Sequence, residues 1–593
     1  MTTPREEYIR RLTAHQARHA RLEQQHILTG NLRLAVALLF VLQAWLTFGS
    51  GLIPPLWLLL PVAGFVTLAV VHERILRARR RAIRATSAYE RGVARLEDRW
   101  VGTGRAGERF REAAHPYAED LDLFGPGGLF ELLSIARTRM GEWMVAHWLK
   151  VPSPLEAVRE RHAAVAELRD NLDLREDLQI LGEDVRVGVH PKALVDWAEE
   201  APVLDSGALR TTAMALAALA VATVGMWIWL GWRVPFILVL AVEAGYVYRT
   251  RSKVRRVIAG VERASHDLAL LSELLARLER ERFTAARLAH LHAVLDGDGQ
   301  PPSRQIARLN RLVELLDSRD NVAMRIIGPP LLYTTQLAFA AEAWRRRSGV
   351  RVRTWLEAVG EMEALCSLAG YAYEHPEDPF PEFTSAAACF DGEALSHPLL
   401  QSGRAVPNDV RLCGEPAVMV VSGSNMSGKS TLLRTVGLNA VLAMAGAPVR
   451  ARSLRLSPLT VGASMRTIDS LQGGSSRFYA EITRLRKLAD LAKGPHPLLF
   501  LLDELLHDTN SHDRRVGAEG IVRELAGRGA IGMVTTHDLA LAHIADQMAP
   551  RGTNVHFEDH LEGGKISFDY KVRAGIAQKS NALELMRSIG LDV

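Results

Sequence analysis

The stretch Gly423-Ser424-Asn425-Met426-Ser427-Gly428-Lys429-Ser430-Thr431 decides the fold of the C-terminal part of this chain. It follows a β-branched run, Val418 to Ser422, and leads into a helical pattern from Thr431 to Met444. The glycines allow backbone N–H groups to surround phosphates, the start of the helix favours anions, and the lysine neutralises their charge. The stretch therefore predicts a strand, a phosphate-binding loop and a helix, with these nine residues binding ATP and Ser430 also binding Mg²⁺.

Two more apolar runs end in polar residues that suit a nucleotide. Pro497 to Leu502 is followed by Asp503 and Glu504, and Ile531 to Thr535 is followed by Thr536-His537-Asp538. Ligands of open α/β sheets bind at the carboxyl ends of strands, so we expect Asp503 to hold Mg²⁺ and Glu504 to orient or deprotonate the attacking water. His537 would sense the γ-phosphate. The alternative is that these are ordinary surface groups. The predicted catalytic residues are Glu504, His537 and Lys429.

A second glycine-serine turn lies at Leu471-Gln472-Gly473-Gly474-Ser475-Ser476-Arg477-Phe478-Tyr479-Ala480-Glu481. A turn of this kind that opens a helix is another anion site, but the first loop already holds the phosphates. We therefore predict that Ser476 and Glu481 bind the ATP of a second subunit, as in ATP-binding-cassette engines, which makes the active protein a dimer. The alternative is an ordinary helix cap.

Apolar runs elsewhere in the chain predict membrane anchoring. Leu34 to Val71 contains no charged residue and is broken by Gly49-Ser50-Gly51 and Pro54-Pro55. A second pair of runs, Thr211 to Trp232 and Val234 to Tyr248, is interrupted at Arg233. Each of the two spans within Leu34 to Val71 is near the lower limit of the roughly 17 to 25 residues that cross a bilayer. The two pairs of runs predict two transmembrane hairpins.

Arginine clusters at the ends of these runs predict the orientation. The positive-inside rule places such clusters, and hence both termini and the ATPase domain, on the cytoplasmic side of the inner membrane. The alternative is two buried hairpins of a soluble protein. Glu243 in the fourth span has either a structural role or a coupling role. The clusters comprise Arg74, Arg77, Arg79, Arg80, Arg81, Arg84, Arg249, Arg251, Lys253, Arg255 and Arg256.

Bulk composition bounds the remaining possibilities. A chain of 593 residues is too long for one core, and its net charge of +5 does not by itself indicate a nucleic-acid-binding protein. Three cysteines (Cys366, Cys389 and Cys413) match neither a zinc site nor a disulfide framework, so we expect them to be reduced. The predicted segments are 1–33 (helix), 34–71 (hairpin), 72–120 (basic helical linker), 121–200 (helical), 211–248 (hairpin), 255–390 (helical levers) and 391–593 (ATPase).

Several of these motifs together resemble the MutS family of DNA mismatch-repair ATPases. Asn425-Met426 is similar to a family hallmark, Ser476-x-Phe478-x-x-Glu481 to its trans-acting signature, and Asp503-Glu504 to its Walker B acids. Thr536-His537 is similar to its switch histidine. The resemblance implies a multidomain fold: a MutS-like α-helical core and lever domain, here carrying the two hairpins, followed by an ABC-type α/β P-loop ATPase domain. It also implies ATP and Mg²⁺ as cofactors, a homodimer, and DNA as a partner.

The chain also departs from the family pattern. Ser424 and Ser427 stand where the family usually has proline and glycine, and Leu506-His507-Asp508 replaces a glycine-containing stretch. Only about 120 residues precede the helical core, so we expect no mismatch-reading domain. Two rival hypotheses keep the same ATP-binding domain but do not involve DNA. One is an ATP-driven transporter or membrane remodeller, and the other is a scaffold that binds ATP without hydrolysing it.

Overall fold

The computed structural model describes residues 3–204, 207–296, 299–385, 387–401, 403–424, 426–465, 477–506, 509–562 and 565–576. The chain divides into two compact units. The first comprises Met1–Ser134, Leu172–Ile180 and Gly370–Val593, and the second comprises Ile135–Asn171 and Leu181–Ala369. The described helices are α1 Pro4–Phe48, α2 Leu59–Leu96, α3 Leu129–Leu133, α4 Arg139–Lys150, α5 Leu155–Arg169, α6 Leu172–Gly188, α7 Pro191–Glu199, α8 Gly207–Leu230, α9 Val234–Leu278, α10 Ala286–Asp296, α11 Pro302–Asp317, α12 Val322–Ile327, α13 Tyr333–Glu374, α14 Lys429–Ala445, α15 Arg477–Leu491, α16 Ser511–Gly527 and α17 Leu539–Gln547.

The first unit begins with a long antiparallel hairpin of α1 and α2. Thr3 caps α1 in a capping box with Glu6, and the predicted N-terminal helix continues without a break into the first apolar span. Gly51, at a φ of 68°, lies in the turn between the helices, where a left-handed conformation favours glycine. The helix α2 extends well beyond the second span, so the predicted basic linker is helical only as far as Leu96.

Three of the described helices are long and apolar enough to cross a membrane. They are α1, α2 with the short 3-10 helix before it, and α8. The predicted fourth span forms the first 15 residues of α9, where Arg249 follows at once, and it stays a prediction together with the orientation. Glu243 in this stretch is buried, and neither carboxylate oxygen has a hydrogen-bond partner among the described residues. Its role stays open.

The second unit is helical throughout its described part. The helices α8 and α9 run antiparallel, with the Tyr246 hydroxyl donating to the Leu209 carbonyl at 2.8 Å and the rings of Trp227 and Phe236 5.7 Å apart. The helix α9 packs against α11, and beyond its apolar stretch it buries a row of leucines at helical spacing. These leucines are Leu268, Leu271, Leu275 and Leu278.

Two sheets form the α/β part of the first unit. One has the strand order β1-β5-β2-β3, and the other has the order β10-β9-β4-β8-β7-β6, in which only the β9–β10 pair is antiparallel. The strands are β1 Glu382–Phe383, β2 Cys389–Leu395, β3 Asn408–Cys413, β4 Val418–Ser422, β5 Ser453–Leu456, β6 Thr460–Ser464, β7 Leu498–Asp503, β8 Ile531–Thr536, β9 Gly552–Glu562 and β10 Lys565–Ala574.

The core of this domain fixes the element that holds the nucleotide loop. Residues 418–422 of β4 are all buried, as expected for a strand covered on both faces. The helix α14 is almost wholly buried, and it packs against the strands β2, β6, β7 and β8. At Gly437 an added Cβ would lie 2.7 Å from side-chain atoms of both Leu121 and Leu501, so only glycine allows this close packing. The predicted strand–loop–helix is confirmed.

The prediction of three reduced cysteines is wrong for two of them. Cys389 on β2 and Cys413 on β3 form a disulfide, while Cys366 is a buried cysteine outside this disulfide. The two strands are antiparallel, and their register places Cys389 directly opposite Cys413. A separation of 24 residues along the chain gives no sign of this register, so the spacing alone did not reveal the pairing.

Candidate nucleotide-binding site

The loop between β4 and α14 is built from residues with positive φ angles. Gly423, Met426 and Gly428 have φ values of 151°, 70° and 107°. An added Cβ at Gly428 would lie 3.2 Å from Cδ1 of Tyr570, so the ring packs closely over this glycine. Positive φ is unusual for a methionine, and residues held in such conformations occur often at binding sites. The loop is thus shaped by backbone conformations that ordinary residues avoid.

Lys429 lies at the start of α14 with its side chain almost fully buried. Its ammonium donates to the carbonyl oxygens of Gly423 at 2.9 Å and Ser424 at 2.8 Å. Burial lowers the pKa of this ammonium, while the carboxylates of Glu504 and Asp503 oppose the shift. The loop therefore surrounds the ammonium of Lys429, whose positive charge points to the centre of the loop.

The two acids at the end of β7 are held by the neighbouring strand β8. The Thr535 hydroxyl donates to Asp503 Oδ1, and it accepts from the Glu504 backbone N–H at 3.1 Å. Glu504 has a φ of 48°, a left-handed conformation that costs energy for a residue with a Cβ. Its carboxylate oxygen lies 3.9 Å from the Lys429 ammonium. One threonine thus positions both acids next to the loop.

His537 contacts Glu504 itself, and Glu481 contacts the turn that follows it. The Nδ1 atom of His537 lies 3.2 Å from Glu504 Oε1, and the imidazole is partly exposed. Glu481 is buried on α15, where its Oε1 accepts from the Leu506 backbone N–H at 2.7 Å. Leu506 also has a positive φ, 54°. Within one chain, Glu481 therefore holds the turn that follows Glu504.

A cavity of about 980 Å³ opens in front of the loop. Its lining includes Met426, Gly428, Lys429, Ser430, Thr431, Asp503 and Glu504. The rest of the lining includes residues that the sequence did not indicate, which we name the second wall: Leu395, His397, Leu400, Arg404, Ala405, Val406, Asn408, Phe557 and Tyr570. The volume is within the range of small-molecule sites.

The second wall is mostly apolar and partly aromatic, and Arg404 contributes a positive charge to it. Burial, with the positive charge of Arg434, lowers the pKa of His397 to about 4, so this imidazole is uncharged at neutral pH. Asn408 fixes the loop of β10, because its side chain donates to the Tyr570 carbonyl at 2.9 Å and accepts from the Val572 N–H at 2.8 Å. This wall suits the apolar, aromatic part of a nucleotide.

The residues of the loop fit a bound phosphate and a magnesium ion. The hydroxyls of Ser424 and Ser427 are buried with no hydrogen-bond partner in the part of the chain that the structure describes. Buried polar atoms of this kind are rare unless a ligand or water satisfies them. Ser430 and Asp503 line the same cavity and carry the oxygen ligands that Mg²⁺ prefers. ATP with Mg²⁺ would satisfy both requirements.

Most of the residues predicted for the site meet around this cavity. Gly423, Ser424 and Ser427 form the loop, and His537 reaches Glu504 from the end of β8. Glu481 does not line the cavity. Asn425 and Ser476, the remaining predicted residues, lie outside the described residues, as do His507 and Asp508. The roles assigned to individual residues stay predictions.

Comparisons with known proteins match the C-terminal part of the chain to a known family. Residues 419–592 match the family described as MutS domain V. The chain is 32% identical over 252 residues to "DNA mismatch repair protein MutS 2" of Halobacterium salinarum, covering 41% of this chain and 28% of that protein. It is 31% identical over 256 residues to "DNA mismatch repair protein MutS" of Myxococcus xanthus, covering 41% and 27%.

A longer match extends into the helical part. The chain is 26% identical over 364 residues to "DNA mismatch repair protein msh3" of Aspergillus oryzae, covering 56% of this chain and 32% of that protein. The chain thus spans about a third or less of the length of these relatives.

Proposed function

Because the C-terminal domain of this chain belongs to the MutS family, we propose that the protein is a membrane-anchored ATPase that works as a dimer and acts on DNA. The observation that carries the proposal is the meeting of Lys429, Asp503 and Glu504 at one cavity, with His537 in contact with Glu504. These groups come from the start of the helix α14 and from the carboxyl ends of two neighbouring strands, β7 and β8. Their chemistry matches a P-loop engine of the ABC type, in which positioning and charge stabilisation supply most of the catalysis.

Each group has a part in hydrolysis. With ATP bound, the ammonium of Lys429 would exchange its two carbonyl partners for phosphate oxygens, and Ser430 and Asp503 would hold the Mg²⁺. The carboxylate of Glu504 orients or deprotonates the attacking water, and it also contacts the His537 ring. His537 then reports the state of the γ-phosphate to the surface, because its side chain is partly exposed.

Exposed apolar side chains around the site support a homodimer. Met426 on the loop is 86% exposed and Tyr479 on α15 is 65% exposed. Ile482, one turn further along α15, is also exposed. Large apolar side chains that remain in water beside a nucleotide site are typical of a protein interface. A second subunit that covers this face would bring its Ser476 and Glu481 region against the loop.

Contacts of the first hairpin support coupling between the membrane and the ATPase domain. The Arg95 guanidinium on α2 donates to both oxygens of Glu374 at 2.7 Å and 2.5 Å, and the Tyr8 hydroxyl of α1 donates to the same carboxylate at 3.2 Å. Glu374 ends α13, a few residues before β1. Helices that reach the membrane are therefore tied to the entrance of the ATPase domain, with termini and ATPase on the cytoplasmic side.

DNA is the substrate implied by the relatives' names. The rival function, ATP-driven movement of the membrane hairpins without DNA, is favoured by the Glu374 contacts. The test is the ATPase rate of the full-length protein in detergent, measured with no DNA and with homoduplex, mismatched and branched DNA. Stimulation by DNA supports the DNA function, whereas equal rates in all four conditions support the rival.

The Glu504→Gln variant tests the site itself. It keeps the size of the side chain and removes the base, so we expect hydrolysis to fall by a factor on the order of 100 or more while ATP still binds. The matched control is Glu519→Gln on α16, a half-buried acid outside the cavity that pairs with Arg523. Unchanged hydrolysis in Glu504→Gln would contradict the proposed catalytic role. If the unsubstituted protein itself does not hydrolyse ATP, the result supports the scaffold hypothesis instead.

A further inference from the structure

A short apolar turn in the second unit exposes its side chains to the surroundings. It consists of residues 323–331, the end of α12 and the 3-10 helix Pro329–Leu331, and we name it the Ile326 turn. Ile326 is 72% exposed and its neighbour Ile327 is 54% exposed. From Asn321 to Ala341 the chain contains no acidic residue, and Arg325 is the only charged one. Consecutive exposed isoleucines are unfavourable in water and indicate a partner.

The turn lies beside a helix that is apolar enough to cross a membrane. The 3-10 helix Pro329–Leu331 packs against α8. The Val203 backbone N–H, just before α8, donates to Glu342 Oε1 on α13 at 2.8 Å. Going back along α13 from Glu342 to Tyr333 covers nine residues, about 13 Å of helix. Starting from this hydrogen bond, α8 and the first residues of α13 therefore extend to the same level relative to the predicted membrane.

That level is the boundary of the apolar part of α8. The run without charge begins just after Arg210, one turn into the helix. The Tyr246 hydroxyl bonds to Leu209 at the same end, close to the arginines that follow Tyr248 on α9. Arginines and tyrosines at the ends of apolar spans mark the headgroup layer of a bilayer. The Ile326 turn sits where that layer would be.

We propose that the Ile326 turn inserts into the headgroup and upper acyl layer of the membrane beside α8. Ile326 and Ile327 enter the apolar layer, and Arg325 extends to the lipid phosphates. Amphipathic segments of this kind lie in the interface without spanning the bilayer. The proposal rests on the membrane anchor proposed above. It adds a contact through which the bilayer acts directly on α13, because α13 begins two residues after the turn.

Another exposed apolar residue on the same helix has no such surroundings. Val350 on α13 is 74% exposed, as much as Ile326. It lies among arginines at 346, 347, 351 and 353, so this part of α13 carries the charged residues typical of a helix surface in water. Single exposed apolar residues are normal on protein surfaces. Val350 is therefore the matched control for a lipid contact.

The test is the depth of a fluorophore in the full-length protein reconstituted into phosphatidylcholine–phosphatidylglycerol vesicles. Ile326→Cys, Val350→Cys and Leu219→Cys are labelled with an environment-sensitive dye, and the unsubstituted chain, whose Cys366 is buried, gives the background. Nitroxide lipids with shallow or deep labels and aqueous iodide are the quenchers. We expect shallow nitroxides to reduce the Ile326 signal about twofold and leave Val350 unchanged. Leu219, exposed on α8, should respond to deep nitroxides.

Each outcome distinguishes this inference from the anchor on which it rests. Quenching at Leu219 without quenching at Ile326 overturns the inference and leaves the anchor intact. No lipid quenching at either position overturns the anchor and the inference together. Protection of Ile326 from iodide without lipid quenching means that a protein surface covers the turn, which also overturns the inference. Equal lipid quenching at Ile326 and Val350 would show non-specific adsorption and overturn it as well.

Discussion

Replacing Glu374 by glutamine should destabilise the first unit by about 3–5 kcal/mol, because it leaves a buried charge without its partner. The Glu374 side chain is 1% exposed and that of Arg95 is 12% exposed. Glutamine keeps one acceptor for the Tyr8 hydroxyl but removes the carboxylate that receives both guanidinium bonds. A double variant, Arg95→Met with Glu374→Met, removes both charges, so its loss should be much smaller than that of Glu374→Gln.

The assay is thermal unfolding in detergent, with the variants compared under identical conditions. For a unit of this size a loss of 3–5 kcal/mol lowers Tm by on the order of 10 °C. The matched control is Glu199→Gln, which breaks an exposed ion pair with Arg353 at 2.7 Å and should cost less than about 1 kcal/mol. The reasoning is refuted if Glu374→Gln and Glu199→Gln shift Tm equally, or if the double variant is as unstable as Glu374→Gln.

Three further changes test the nucleotide site and the helical unit. Gly428→Ala places a Cβ against Tyr570 at a φ of 107°, so ATP affinity measured by nucleotide titration should fall at least about tenfold. Thr535→Val removes the hydroxyl that positions both acids, so kcat should fall by roughly 10-fold or more with little change in KM; unchanged kcat would contradict this. Burial raises the pKa of Glu363 to about 7, above its ordinary 4.5, so the folded state binds a proton that the unfolded state has lost. Its contribution to stability is present below pH 4.5 and falls by roughly 3 kcal/mol as pH rises through 7; Tm should decline from pH 5 to pH 8, and Glu363→Gln should flatten that decline.

The elements of the α/β domain were predictable because each signal is local. A buried strand, a glycine-rich loop and a helix follow one another within about 25 residues around Lys429. The strand before Asp503 and the strand before His537 also ended where the sequence predicted, within one residue. Parallel neighbours place their carboxyl ends together, which explains why Glu504 lies within 3.2 Å of His537.

The second wall of the cavity could not be predicted, because its residues come from distant parts of the chain. Phe557 and Tyr570 reach the cavity from β9 and β10, and His397 reaches it from the segment after β2. Their placement depends on strand order and register, which no local pattern records. The disulfide between Cys389 and Cys413 was missed for the same reason. The sequence shows which residues could take part in a site, but only the strand register shows which of them come into contact.

The same distinction applies to the membrane contacts, because the spans could be predicted from the sequence and the Ile326 turn could not. A span is visible in the sequence because a run of about 20 apolar residues is long enough to cross the hydrocarbon core and is rare in soluble domains. The Ile326 turn is shorter than a span, and Pro329-Pro330 looks like a loop between helices. The turn is identified as a membrane contact by its exposure and its packing against α8, and both of these are known only from the fold. If the fluorophore at Ile326 responds to lipid, short apolar turns beside other membrane spans should be tested in the same way, because hydropathy over a long window averages them away.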